Sequence, residues 1–122
     1  GKQYTPEQIS AEIIKKLKLK VFCGEKLNQF QVKGAYTSDL LSDVMANSRE
    51  NDLWVTMQIH PNIIAVAGLK NHAAIILVNG RQPEKDTLSK AKKENRPVLG
   101  TEDSAFIISG KIYAFFQQEG LC

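Results

Sequence analysis

The stretch LWVTMQIHPNIIAVAGLKNHAAIILVNG, residues 53–80, contains the pattern that decides the fold of this chain. Residues 53–57 are apolar, aromatic or β-branched and predict a strand. Residues 74–78 form the continuous apolar run that is typical of a strand buried on both faces. Between them, Pro61 and the alanines favour a short buried helix over residues 63–67. The stretch therefore predicts a strand–helix–strand unit with two parallel strands.

The same alternation continues towards the C-terminus. A helix is predicted to begin at Pro83, and residues 97–99 read as a short strand. Thr101 is predicted to cap a last helix, with two acidic residues in its first turn, where the helix dipole favours them. The apolar face of this helix is formed by Ile108, Ile112 and Phe115 or Phe116.

Shorter elements are expected before residue 53. A helix over residues 5–18 forms an N-terminal extension, and a short strand follows from Leu19 to Cys23. A second short strand includes Phe30 and Val32 and ends at Gly34. The chain as a whole, residues 1–122, is expected to form one layered α/β domain with a mostly parallel sheet flanked by helices.

Composition excludes several classes of function. The chain is 43% hydrophobic and 24% charged, as in an ordinary globular domain, and its net charge of +3 is too small to indicate nucleic-acid binding. No apolar run approaches the length of a transmembrane helix and no signal peptide is visible, so we expect a cytoplasmic protein that is not bound to a membrane.

No catalytic pattern is present in the sequence. The two cysteines cannot supply the four thiolates of an ordinary iron–sulfur cluster. No phosphate-cradling P-loop occurs, and no Ser-His-Asp or Cys-His arrangement has recognisable flanks. We therefore expect no enzyme activity, no cofactor and no metal.

Polar residues follow the two central strands, at the edge where an open α/β sheet binds its ligands. The candidate ligand-binding residues are Thr56, His60, Asn62, Asn79, Gly80 and Arg81. In this hypothesis they line one polar pocket, and Arg81 or a helix N-terminus holds an anion. The alternative is that these residues make loop hydrogen bonds that position Pro61 and the helix after it.

Ser38, Asp39 and Asp43 form a second polar group. Ser38 or Thr37 is predicted to cap a helix that has Asp39 in its first turn, so that Asp39 and Asp43 share one helix face. Like charges at that spacing cost about 0.2–0.5 kcal/mol. With His60 they would form a metal or proton site. The favoured alternative is a cap and a surface or interface salt bridge, because the spacing is not that of metal ligands.

Three stretches of the sequence resemble the DRTGG domain family: GAYTSDLLSDV (34–44), WVTMQIHPN (54–62) and IILVNGRQP (75–83). The resemblance extends from about Val21 onward. It implies a fold similar to the N-terminal domain of HPr kinase/phosphorylase, which also resembles domains of some phosphotransacetylases and CBS-domain pyrophosphatases. The letters DRTGG do not occur here, and residues 79–81 occupy the region of the glycine pair.

The resemblance implies a role as well as a fold. Within the family, the sequence most resembles small stand-alone members that are associated with iron-only hydrogenase operons. Some of those members are labelled iron–sulfur-binding hydrogenases. The resemblance implies an accessory or regulatory module whose partner is a redox enzyme, a signalling protein or a second copy of the chain. The C-terminal segment has more phenylalanines than one apolar helix face needs, namely Phe106, Phe115 and Phe116. This surplus favours a homodimer. The alternative is a sensor of an adenine nucleotide or phosphorylated metabolite.

Overall fold

The computed structural model describes residues 6–24 and 31–120, with side chains from residue 11 onward. Helices and strands alternate along them. In order they are α1 (Pro6–Lys16), β1 (Lys20–Cys23), β2 (Gly34–Thr37), α2 (Leu41–Asn47), β3 (Asp52–Thr56), α3 (Asn62–Lys70), β4 (Ala74–Leu77), α4 (Lys85–Glu94), β5 (Val98–Gly100) and α5 (Ala105–Gln118).

The strands form a sheet in the order β1-β5-β4-β3-β2. The four strands β2 to β5 are parallel to one another, and β1 pairs with β5 in the antiparallel sense. The prediction of a mostly parallel sheet flanked by helices is therefore confirmed. Because successive parallel strands are neighbours, each crossover advances the sheet in the same direction, and α2, α3 and α4 lie side by side on one face.

Each face of the sheet has its own hydrophobic core. Trp54 and Ile75 point towards α2, α3 and α4, whereas Val55 and Ile76 point towards α1 and α5. This separation follows from the alternation of side chains along a strand. It also explains the continuous apolar run of β4, all four residues of which are buried.

The helices that follow β4 and β5 lie on opposite faces of the sheet. α4 contributes Ala91 to the core shared with α2 and α3, and α5 contributes Ile108 to the core shared with α1. The β4–α4 and β5–α5 loops therefore diverge at the carboxyl ends of two neighbouring strands. Such a point is where an open α/β sheet leaves a crevice.

The edge strand β2 differs from its prediction. The strand begins at Gly34 rather than ending there, and it pairs in register with residues 52–55 of β3. The strand was predicted from two residues: Phe30 lies outside the described residues, and Val32 is buried but precedes the strand. The first residue of the predicted helix 5–18 also lies outside the described residues. β2 is half exposed because it lies at the sheet edge, so its residues lack the apolar signal of a central strand.

The starts of two helices also differ. α2 begins at Leu41 and no side chain caps it, so Thr37 and Ser38 are not its caps. α5 begins at Ala105 and is capped by Ser104, whose hydroxyl accepts a hydrogen bond from the Ile107 amide at 3.3 Å. The predicted cap of α5 was therefore placed three residues too early.

Candidate functional site

A small cleft lies between the diverging β4–α4 and β5–α5 loops. Its volume is about 100 Å³. It is lined by Lys18, Lys20, Phe22, Gly80, Arg81, Gln82, Gly100, Thr101 and Glu102. We refer to it as the loop cleft.

The antiparallel pairing with β5 brings β1 to the loop cleft. Lys20 pairs with Gly100, so the start of β1 lies beside the end of β5. The Phe22 ring covers Gly100 so closely that a Cβ on Gly100 would lie 2.6 Å from the ring. The Lys20 ammonium lies 4.9 Å from the centroid of that ring, at cation–π distance. Residues far apart in sequence thus form one wall.

The loop cleft is electropositive. Lys18, Lys20 and Arg81 surround it, and Glu102 is the single carboxylate in its lining. The Glu102 carboxylate lies against Gly80, in the space that a Cβ there would occupy. With three cations and one carboxylate, the lining carries a net charge of 3 − 1 = +2. The arrangement favours an anion over a cation or an apolar ligand.

The structure brings only part of the predicted pocket to this cleft. Gly80 and Arg81 line it, whereas Thr56, His60 and Asn62 do not. Asn79 is exposed beside it, and its amide donates to the Asp103 carbonyl at 2.9 Å.

The loop after β3 forms local hydrogen bonds instead. His60 is exposed, and its Nδ1 accepts a hydrogen bond from the Asn62 amide at 3.2 Å. The carbonyl of His60 accepts from the Ile63 amide at 3.1 Å. These contacts match the alternative interpretation, in which the loop positions Pro61 and the start of α3.

The other seven residues that line the loop cleft were not predicted as ligand-binding residues, and three of them come from β1 and the turn before it. Lys18, Lys20 and Phe22 alternate with Leu19 and Val21, which is the period of a strand that places every second side chain on one side. The sequence predicts a strand from Leu19 to Cys23 but does not indicate which strand lies next to it. The position of the lysines depends on the pairing of β1 with β5, about 80 residues later in the sequence, which local patterns do not encode.

Asp39 connects the ends of two strands. Its Oδ1 accepts hydrogen bonds from the Thr56 hydroxyl at 2.9 Å and from the Met57 amide at 2.7 Å. It precedes α2, which begins at Leu41, so the prediction that Asp39 and Asp43 share one helix face is wrong. The physical reason is that Asp39 satisfies backbone and side-chain donors of the next strand instead of the first turn of a helix.

Asp43 lies within α2 and binds its neighbours by hydrogen bonds. The Tyr36 hydroxyl donates to its carboxylate at 2.9 Å, and Asn47 Nδ2 donates at 2.8 Å. Hydrogen bonds from Ser38, Asn47 and Tyr36 lower the pKa of Asp43, and the bond to that carboxylate raises the pKa of Tyr36. In the described parts of the chain, no three His, Cys, Asp or Glu residues come together as a metal site.

A second feature is an apolar surface on the first half of α5, which we call the α5 surface. Phe106 is 84% exposed and Tyr113 is 59% exposed. They border an open depression of about 640 Å³ that is lined by Thr37, Ala105, Phe106, Ile107, Ser109, Gly110 and Tyr113. Phe115 and Phe116 are buried, so only Phe106 of the three predicted surplus phenylalanines is available for contact.

The fold is similar to that of the CBS and DRTGG domains of the regulatory region of Clostridium perfringens pyrophosphatase, solved in complex with the activator diadenosine tetraphosphate. The TM-score is 0.66 at 17% sequence identity, over 87% of this chain and 49% of that chain. This chain thus spans about half the length of that region. At this identity the likeness shows the fold alone.

Sequence comparisons add no relative. No protein-family model matches the sequence, and no curated protein matches it significantly. Among the described helices, none is both long enough and apolar enough to cross a membrane.

Proposed function

We propose that this chain is a non-catalytic regulatory module that acts by binding, and that its main partner is a second copy of itself. The α5 surface forms the contact. The observation that carries the proposal is the exposure of Phe106, at 84%, beside exposed Tyr113 and Ile107. Contiguous apolar side chains on a protein surface mark sites of interaction far more often than isolated ones do.

The charge distribution favours a second copy as the occupant. All seven residues that line the α5 surface are uncharged. Two identical chains of net charge +3 repel each other, and a symmetric contact through charged patches would place like charges together. The α5 surface allows two copies to meet without that repulsion.

The neighbouring sheet edge can extend the contact beyond the α5 surface. A stable interface buries about 800 Å² on each partner, which is more than a few side chains of one helix supply. β2 is the edge strand beside the α5 surface, and the Thr37 hydroxyl lies 2.7 Å from that of Ser109. The outer edge of β2 presents backbone groups that a second β2 can pair. The two features form one continuous surface.

Light scattering on matched variants tests this proposal. Phe106→Ser removes the most exposed side chain of the α5 surface, and the matched control is Leu69→Ser, because Leu69 is 75% exposed on α3. We expect the wild type and the Leu69 variant to be dimers and the Phe106 variant to be a monomer. A wild type that stays monomeric at high micromolar concentration, or equal behaviour of the two variants, would overturn the proposal.

A protein partner from a redox system is the next contact that we propose. The support is the resemblance to small proteins associated with iron-only hydrogenases, together with a cytoplasmic location as expected from the sequence. The test is sedimentation of a purified iron-only hydrogenase with and without the chain. A boundary that moves faster in the mixture supports this partner, and unchanged boundaries reject it.

Ligand sensing is the second candidate function. It is supported by the electropositive loop cleft and by the dinucleotide activator bound to the similar regulatory region. A thermal-shift measurement with adenine nucleotides tests it, since a ligand at 100 times its dissociation constant adds about 2.7 kcal/mol to the free energy of unfolding. A midpoint that is the same with and without each nucleotide would reject an adenine-nucleotide sensor.

A further inference from the structure

We infer that the loop cleft binds the phosphoryl group of a phosphorylated ligand, held by Lys18, Lys20 and Arg81. The inference rests on the second candidate function, ligand sensing, and is independent of self-association. It assigns a location and a chemical class to the ligand. Most of the residues that would hold the ligand come from β1 and the turn before it, outside the pocket expected from the sequence.

The loop cleft follows from the topology of the sheet. α4 and α5 leave neighbouring parallel strands on opposite faces, so their loops separate at the carboxyl ends of β4 and β5. This is the crevice in which open α/β sheets bind ligands. Gly80 and Gly100 contribute no side chains there, and Phe22 forms the wall above Gly100.

The charge of the side chains that line the loop cleft also favours a phosphoryl group. Among the described residues, ion pairs join Lys16 to Glu119 and Lys111 to Asp103, and none involves Lys18, Lys20 or Arg81. Three cations around one small cleft repel one another unless an anion lies between them. A phosphate monoester carries about −1.5 to −2 charges at pH 7, which matches the net charge of the lining.

Lys18 has a backbone conformation that is unusual for a lysine. Its φ is +53°, in the left-handed region. The other non-glycine residues with positive φ in the described chain are all asparagines: Asn51, Asn71, Asn79 and Asn95. Asparagine tolerates this conformation better than lysine does. The sequence thus places a lysine where the backbone disfavours it, at the turn from α1 into β1 that brings its side chain to the loop cleft.

The volume of the loop cleft suits a phosphoryl group and is too small for a whole small molecule. Sites for whole small molecules measure about 300–1,000 Å³, and the loop cleft measures about 100 Å³. A phosphoryl group enters the cleft, and the rest of a larger ligand remains outside, beside Phe22 and Gln82. The Glu102 carboxylate in the lining repels a bound phosphoryl group, so removing its charge should strengthen binding.

Titration followed by amide NMR tests the site, with inorganic phosphate, pyrophosphate and AMP as probes at constant ionic strength. We expect saturable shifts at Gly80, Arg81, Gly100 and Thr101. Arg81→Gln and Lys18→Gln should each weaken phosphate binding about tenfold, since each removes a charge-assisted hydrogen bond. Glu102→Gln should strengthen it about threefold to tenfold.

The matched control is Lys93→Gln, an exposed position on α4 that removes the same charge. Its effect should be less than twofold, because distant surface charges are screened by salt. Equal weakening by Lys93→Gln and Arg81→Gln, or shifts that never saturate, would overturn the inference. Tighter binding of AMP than of phosphate supports a nucleotide ligand, and equal binding supports free phosphate. The dimer fraction of the same samples shows separately whether self-association holds.

Discussion

The imidazole of His72 and the hydroxyl of Ser48 lie 2.9 Å apart in the buried core, between Nε2 and Oγ. That hydroxyl also donates to the Val44 carbonyl at 2.6 Å, so its oxygen accepts from Nε2–H of His72. The Nδ1 atom is buried without a hydrogen-bond partner among the described residues. Burial, reinforced by the charges of Lys70 and Arg96, lowers the pKa of His72 to about 4.

The neutral state of His72 predicts a loss of stability in acid. Its pKa is lower in the folded chain than the usual 6.5, so the unfolded chain binds the additional proton as the pH falls from 6.5 towards 4. The contribution of His72 to the free energy of unfolding should fall by about 3 kcal/mol between pH 7 and pH 4. Urea denaturation at several pH values measures it.

Two variants isolate this effect. His72→Gln should flatten the acid dependence by that amount, whereas Leu69→Ser, which changes an exposed residue without a titratable group, should leave it unaltered. Burial raises the pKa of Asp52, so this carboxyl group increases the free energy of unfolding as the pH falls, opposite to His72. Comparison of each variant with the wild type cancels this contribution of Asp52. Equal profiles for all three proteins would show that His72 is not the titrating group.

Asp39 should stabilise the fold through the ends of β2 and β3. Asp39→Ala leaves the Thr56 hydroxyl and the Met57 amide without their acceptor. We expect a loss of about 1–2 kcal/mol in the free energy of unfolding, measured by urea denaturation. Glu94→Ala, at an exposed acid near the end of α4, serves as the control and should change it by less than about 0.5 kcal/mol. A smaller effect of Asp39→Ala than of the control would refute this role.

The close contact with the Phe22 ring should require glycine at position 100. A Cβ at position 100 would lie 2.6 Å from Phe22 Cε2, so Gly100→Ala must displace the ring or the strand and should cost about 1–3 kcal/mol. The double variant with Phe22→Leu should cost at least about 0.5 kcal/mol less than the sum of the single changes, because the two positions are in contact. Additive losses in a double-mutant cycle would mean that the ring does not constrain Gly100.

Gly110 should have opposite effects on the monomer and on the dimer. Among the described residues, no heavy atom outside the neighbouring positions of α5 lies within 4 Å of a Cβ placed on Gly110, so Gly110→Ala should stabilise the monomer by about 0.5–1 kcal/mol through helix propensity. The same methyl group projects from the α5 surface and should weaken the dimer. Denaturation of dilute protein measures the first effect, and sedimentation of concentrated protein measures the second.

The control for Gly110 is Ser89→Ala, at an exposed position of α4. It should raise helix propensity slightly and leave the dimer unchanged. If Gly110→Ala stabilises the chain and dimerisation is as strong as in the wild type, the α5 surface is not the contact.

The central strands could be predicted because their environment is uniform. Trp54 in β3 and Ile75 in β4 lie in strands buried on both faces, so apolar sequence alone indicates them. β2 at the sheet edge is half exposed, and its residues gave no comparable signal. The loop cleft could not be predicted, since Lys20 reaches it only through the pairing of β1 with Gly100 of β5.

The most direct test of the central claim is sedimentation velocity of the wild-type chain over a wide range of concentrations. We expect a reversible shift from a 13.6 kDa monomer to a dimer of twice that mass as the concentration rises. Because the proposed contact is apolar and carries no charge, this shift should persist at high salt. A single monomeric species at every concentration would contradict self-association through the α5 surface.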